Sequence, residues 1–102
     1  MKHICLAALL LATCAAAQRV TIGSKTFTES VILGEIVTRL VRDAGAQAEH
    51  QPEFGGTRVL WNAVLRGDLD IYPEYTGTIE QEILAGKDLA AGEDGLRAAV
   101  EA

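Results

Sequence analysis

Residues Gly55–Thr78 read GGTRVLWNAVLRGDLDIYPEYTGT. A glycine pair opens the stretch, Val59, Leu60, Ala63 and Val64 recur at helical spacing, and Gly67 stops the run, so a helix is predicted. DLDIYPEY then reads as a strand, which Pro73 bars from continuing as an interior one because proline has no amide to donate to a ladder. Thr-Gly-Thr opens a further helical run, TIEQEILAG, with Thr78 and Gln81 at capping spacing and Gly86 as its stop. Helix, strand and helix joined by short connections form the repeating unit of a parallel α/β sheet. Both tyrosines lie at the carboxyl end of its strand.

Working towards the N-terminus, the same alternation continues. RVTIGSK is a β-branched run halted by Gly23, a first strand. Thr26 and Glu29 stand at the T-x-x-E spacing of a capping box, which predicts a helix beginning near Phe27. Ile32, Leu33, Ile36, Val37, Leu40, Val41 and Ala44 repeat at helical spacing and are expected to form its buried face, with Glu35, Arg39 and Arg42 opposite and Gly45 as the stop. AQAEHQPEF is a weaker, edge-like or irregular strand interrupted by Pro52. Towards the C-terminus, GEDGLRAAVEA begins another helix without a closing turn, as if the sequence were a piece of a longer protein. Right-handed crossovers would place helices on both faces of the sheet.

The first 17 residues stand apart. MKH is basic, ICLAALLLATCAAA is apolar and ends in small residues, and Ala15-Ala16-Ala17 offers a cleavage site before Gln18. This is the pattern of a secretory signal peptide, and the apolar run falls short of the roughly 20 residues of a membrane span. An exported location is expected, with residues 18–102 as the mature domain. LATC ending at Cys14 also resembles a lipobox, although Thr13 suits that motif poorly, so a lipid anchor through Cys14 stays open. Both cysteines, Cys5 and Cys14, lie in the leader, so the domain must be held by its core alone. Without Lys2 the net charge of −5 becomes −6, which argues against nucleic acid or anionic lipid as a partner.

In open parallel sheets, ligands bind beyond the carboxyl ends of the strands. Three loops qualify: SKTFT, FGGT and YTGT. Each leads into a helix N-terminus, where free amides and the dipole favour an anion such as a carboxylate. Lys25 would reinforce that preference, or it is a solvated surface lysine. Thr78 most simply caps its helix, though its hydroxyl can also serve a ligand. Tyr72 and Tyr75 differ in parity, so at most one faces the core. An aromatic face beside an anion-favouring helix start suits a zwitterion with a bulky cation, because a quaternary ammonium is drawn to the ring quadrupole. The remaining motifs carry less. Arg66-Gly67-Asp68 spans a helix stop and a strand start and reads as structural. His50 has no second histidine or cysteine at metal spacing and is expected on the surface. Trp61 is expected to pack. Gly55-Gly56-Thr57 lacks the Lys-Ser/Thr of a phosphate loop. No nucleophile constellation can be assembled from the sequence, so nothing supports an enzyme, and neither cofactor nor metal is expected.

IGSKTFTESVILGEI and GGTRVLWNAVLRGDLDIYPEYTGT, with their separation, resemble the glycine betaine, carnitine and choline substrate-binding proteins of ABC transporters. The resemblance runs from about Val20 to Gly86. It implies a type II periplasmic-binding-protein fold, in which two α/β lobes close on a ligand, this chain supplying the N-terminal part of the first lobe. It also implies a small quaternary ammonium compound and a membrane permease as partners. By resemblance Lys25 and Thr78 would hold the ligand carboxylate, and Tyr75 would be one wall of the aromatic cage around the ammonium. Family members are well over twice as long, and their other cage tyrosines and carboxylate-binding arginine lie on later segments. A sensor domain of the same fold, or a truncated and non-functional piece, are the competing readings.

Overall fold

The computed structural model describes residues 19–102, so the expected signal peptide, its expected cleavage site and Cys14 lie outside the described residues. Strand β1 (Arg19–Lys25) pairs in parallel with β2 (Gln47–Gly55). Register runs from Arg19 opposite Gln47 to Gly23 opposite Gln51, then slips so that Lys25 faces Gly55. The slip falls where Pro52 offers no amide and Glu53 takes a left-handed φ of 52°. The expected irregular second strand is thus present, with its fault at the proline.

The expected third strand is reduced to one bridge, Ile22 opposite Ile71, also parallel. Gly23 N–H donates to the Ile71 carbonyl at 2.9 Å, and Asp70 N–H to the Thr21 carbonyl at 2.9 Å. The ladder stops there for two reasons. The Asp70 carboxylate accepts the Thr21 amide at 2.8 Å, diverting a donor that a strand would use, and Pro73 cannot donate at all. β1 therefore lies between β2 and a single extended turn.

Side chains alternate across β1, and the two faces differ in chemistry. Towards helix α1 (Thr28–Asp43) points Ser24; towards helix α2 (Thr57–Arg66) opens Gly23, where an added Cβ would lie 2.5 Å from the Leu69 side chain and 3.0 Å from Leu60. On the α2 side Leu60, Ala63 and Leu69 form the hydrophobic core, with Phe54, Val64 and Tyr72 packed against it. Tyr72 is thus the inward tyrosine. Val59, expected on this face, is 49% exposed. Gly67 ends α2 with φ 82°.

The α1 face overturns the expectation from periodicity. Ser30, Gly34 and Thr38, at four-residue spacing, are the residues of α1 buried against the sheet. Ile32, Ile36 and Leu40 are 54, 49 and 62% exposed. Small side chains let α1 approach closely, and Thr38 satisfies its hydroxyl by donating to the Gly34 carbonyl at 2.8 Å. The capping box does not form either. Phe27 occupies the N-cap position without a side-chain bond, and the nearby Ser30 hydroxyl instead accepts the Lys25 amide at 2.8 Å.

The run after Tyr75 begins as a helical turn, α3 (Thr76–Thr78), and widens into a π-helical turn (Ile79–Ile83) closed by Leu84 N–H on the Ile79 carbonyl at 2.8 Å. Thr78 lies inside this segment, and Tyr75 takes the N-cap position without a side-chain bond. The expected Thr78 cap is absent, because the helix starts two residues earlier. Helix α4 (Gly92–Glu101) follows.

Candidate functional site

Three chain segments meet at the carboxyl end of β1. Lys25 ends that strand, Thr57 opens α2, and Glu74 precedes α3. The helix starts at Phe27, Gly56 and Tyr75 all lack side-chain caps, which leaves their first amides free. Lys25 joins the segments. Its ammonium donates to Thr57 Oγ1 at 2.9 Å and to Glu74 Oε1 at 2.6 Å.

Lys25 is therefore not a solvated surface lysine. Its side chain and that of Glu74 expose only 8% and 7% of their surfaces. An ammonium carries three protons, and two are engaged here. Removing one partner of such a pair strands a buried charge, at a typical cost of about 3–5 kcal/mol. Glu74 was missed in the sequence because an acid between two tyrosines carries no local signal. Its partner is 49 residues away.

Glu74 also accepts the Tyr75 amide through Oε1 at 3.0 Å, which fixes the backbone where the tyrosine leaves the turn. Tyr75 turns outward and is 41% exposed. Its hydroxyl donates to Glu29 in the first turn of α1. Its ring stacks on Phe27, with centroids 6.5 Å apart and planes 28° from parallel. The phenol is held above its ordinary pKa, chiefly by the hydrogen bond to Glu29, since the carboxylate favours the protonated donor. One ring face is backed by Phe27, and the tyrosine is anchored at both ends. Phe27 and Glu29 lay in the quoted sequence without a reason to join them to Tyr75.

Beneath this surface, the Tyr72 hydroxyl and Glu74 Oε2 are buried without a hydrogen-bond partner among the described residues. Burial, followed by the Glu74 charge, pushes the Tyr72 phenol far up, so it stays protonated. Thr78 is half-buried within the helical segment. A cleft of about 230 Å³ lies between the α3 segment and α4, lined by Thr76, Ile79, Leu96 and Val100 among others. None of Lys25, Tyr75 and Thr78 lines it. Lys25 ends β1 and is buried, Tyr75 is the exposed N-cap residue of α3, and Thr78 is the last residue of α3.

A second polar cluster corrects the reading of His50. Its side chain is only 9% exposed. Nε2 lies 2.9 Å from Ser24 Oγ, and Nδ1 lies 3.1 Å from Glu35 Oε2. Ser24, His50 and Glu35 thus form the bond order of a nucleophile triad, which the sequence reading did not find because the three come from separate elements. Ser24 has no exposed surface, however, and α1 closes over it: a Cβ at Gly34 would lie 3.0 Å from Ser24 Cβ and 2.5 Å from His50 Nε2. No substrate reaches such a serine, and the chain of bonds ties α1 to the sheet. Arg66 and Asp68 form an exposed pair at 3.2 Å around Gly67, in keeping with a structural reading of that tripeptide.

Comparison with known proteins places the fold. The glycine betaine-binding protein YehZ of Escherichia coli (strain K12) is 42% identical over 62 residues, which cover 61% of this chain and 20% of that protein. The structure of apo YehZ from the same organism superposes with a TM-score of 0.62 at 36% identity, covering 71% of this chain and 26% of that one. The α/β arrangement is therefore that of part of a periplasmic-binding-protein lobe, and the chain spans about a fifth of its relative's length. Residues 18–101 match the family described as the substrate binding domain of the ABC-type glycine betaine transport system, and the chain belongs to that family.

Proposed function

We propose that the chain forms the N-terminal part of the first lobe of an exported substrate-binding component of an ABC transporter for quaternary ammonium osmoprotectants of the glycine betaine, choline and carnitine type. Residues 1–17 are its signal peptide and residues 18–102 belong to the binding domain. It delivers its ligand to a membrane permease in the periplasmic space and catalyses no reaction. Among the described residues no helix is long and apolar enough to cross a membrane.

The observation that carries this reading is the joining of Lys25, Thr57, Glu74 and Tyr75 at one sheet end. An exposed aromatic face stands there beside a lysine and three uncapped helix starts. The ring attracts a trimethylammonium group through its quadrupole, while the third proton of Lys25 and the free amides suit a carboxylate. Thr78 adds a hydroxyl from the same turn as Tyr75. Isothermal titration of the full-length exported protein with glycine betaine and choline tests the assignment. Saturable binding without turnover is expected, and absence of binding to both overturns it.

A further inference from the structure

The Lys25 charge is not free. Glu74 faces it at 2.6 Å, both side chains are more than nine-tenths buried, and the second Glu74 oxygen has no partner among the described residues. Glu29 places another carboxylate on the Tyr75 hydroxyl. The charged groups engaged with this corner are thus one cation and two anions. A lysine meant only to capture a carboxylate would be stronger without a buried acid cancelling it, since each unpaired charge acts at longer range in a poorly solvated site. Resting on the proposed binding role, we infer that Glu74 sets the ligand range of this site: by neutralising Lys25 it makes the floor beneath Tyr75 acceptable to quaternary ammonium compounds that lack a carboxylate, such as choline.

The pair works as a dipole. A carboxylate ligand still finds the third Lys25 proton, and a bare cation meets no net repulsion from the ammonium. Removing either charge should therefore move the two ligand classes in opposite directions, whereas a purely structural tie would weaken both alike. The experiment measures glycine betaine and choline affinities by calorimetry in the full-length protein and in variants shown by circular dichroism to be folded. Glu74→Gln is expected to raise the preference for betaine over choline about tenfold, equivalent to about 1.4 kcal/mol, and Lys25→Gln to shift it about as far towards choline. Glu74→Asp, which keeps the charge, should stay near the native ratio.

The double variant Lys25→Gln/Glu74→Gln leaves no buried charge unpaired and guards against loss of folding in the single variants. Its ratio should stay within about threefold of native, a shift of roughly 0.65 kcal/mol. Parallel losses for both ligands in the single variants, or a double variant that favours choline as strongly as Lys25→Gln, would overturn the inference while leaving the binding role intact. Failure of the native protein to bind either compound would overturn both.

Discussion

Tyr75 shows how neighbours decide what one side chain can do. Parity alone separated it from Tyr72, and the structure places Tyr72 against the core and Tyr75 outward. Its ring has one face stacked on Phe27 and its hydroxyl held by Glu29, so ring orientation is supported twice. In the intact protein Tyr75→Ala is expected to weaken betaine binding more than tenfold, since a desolvated cation–π contact is worth about 2 kcal/mol. Tyr75→Phe keeps the ring and its Phe27 backing, and should lose far less. Calorimetric titration of the two variants decides between them, and equal losses would mean that the hydroxyl itself contacts the ligand. Lys25, Tyr75 and Thr78 are candidates through the loops that follow the expected strands and through the family resemblance of their motifs. Glu74 and His50 were not legible, because a buried polar residue is identified by its partners, and these lie 49 and 15 to 26 residues away.

Secondary structure was legible wherever a local signal dominated. Gly45 and Gly67 stop their helices with φ of 98° and 82°, and Pro52 marks the fault in β2. The orientation of α1 was not legible, because periodicity finds an apolar stripe without saying what covers it. Here the small residues Ser30, Gly34 and Thr38 win the sheet face, since His50 already occupies the space over Gly34. The third strand stops at Pro73, as expected, and is shortened further by a contact outside propensity, the capture of the Thr21 amide by Asp70. The contact between α1 and β2 also makes stability depend on pH. Glu35 is held below its ordinary value of 4.5, first by the hydrogen bond from His50, which outweighs the opposing effect of desolvation, and then by the charges of His50, Arg39 and Arg42. A carboxyl lowered in the folded state stabilises above its unfolded value, and that contribution is lost as pH falls through the folded one. Denaturant titrations of native protein and Glu35→Gln should therefore show a stability difference that shrinks as the pH falls below 4.5. A difference that grows with acidity would mean that the carboxyl is better bound in its protonated form.

At the scale of the whole molecule, the chain covers 20% of YehZ and leaves Ile32, Ile36 and Leu40 of α1 exposed. About 85 residues bury a smaller fraction of their surface than a larger domain does. The proposed ligand-facing surface is open to solvent. Tyr75 is 41% exposed, and the Lys25 ammonium already spends two donors on Thr57 and Glu74. An exposed cation–π contact is worth about 0.5–1 kcal/mol, against at least about 4 kcal/mol of lost translational and rotational freedom on association. A hydrogen bond to the Thr78 hydroxyl largely replaces a bond to water, and the Lys25 ammonium has only its third proton to offer. A protein consisting only of residues 18–102 should accordingly bind glycine betaine at best very weakly. Titration of that fragment, once circular dichroism shows it folded, measures this, and micromolar binding by the monomer would mean that one sheet end suffices without enclosure by a second lobe.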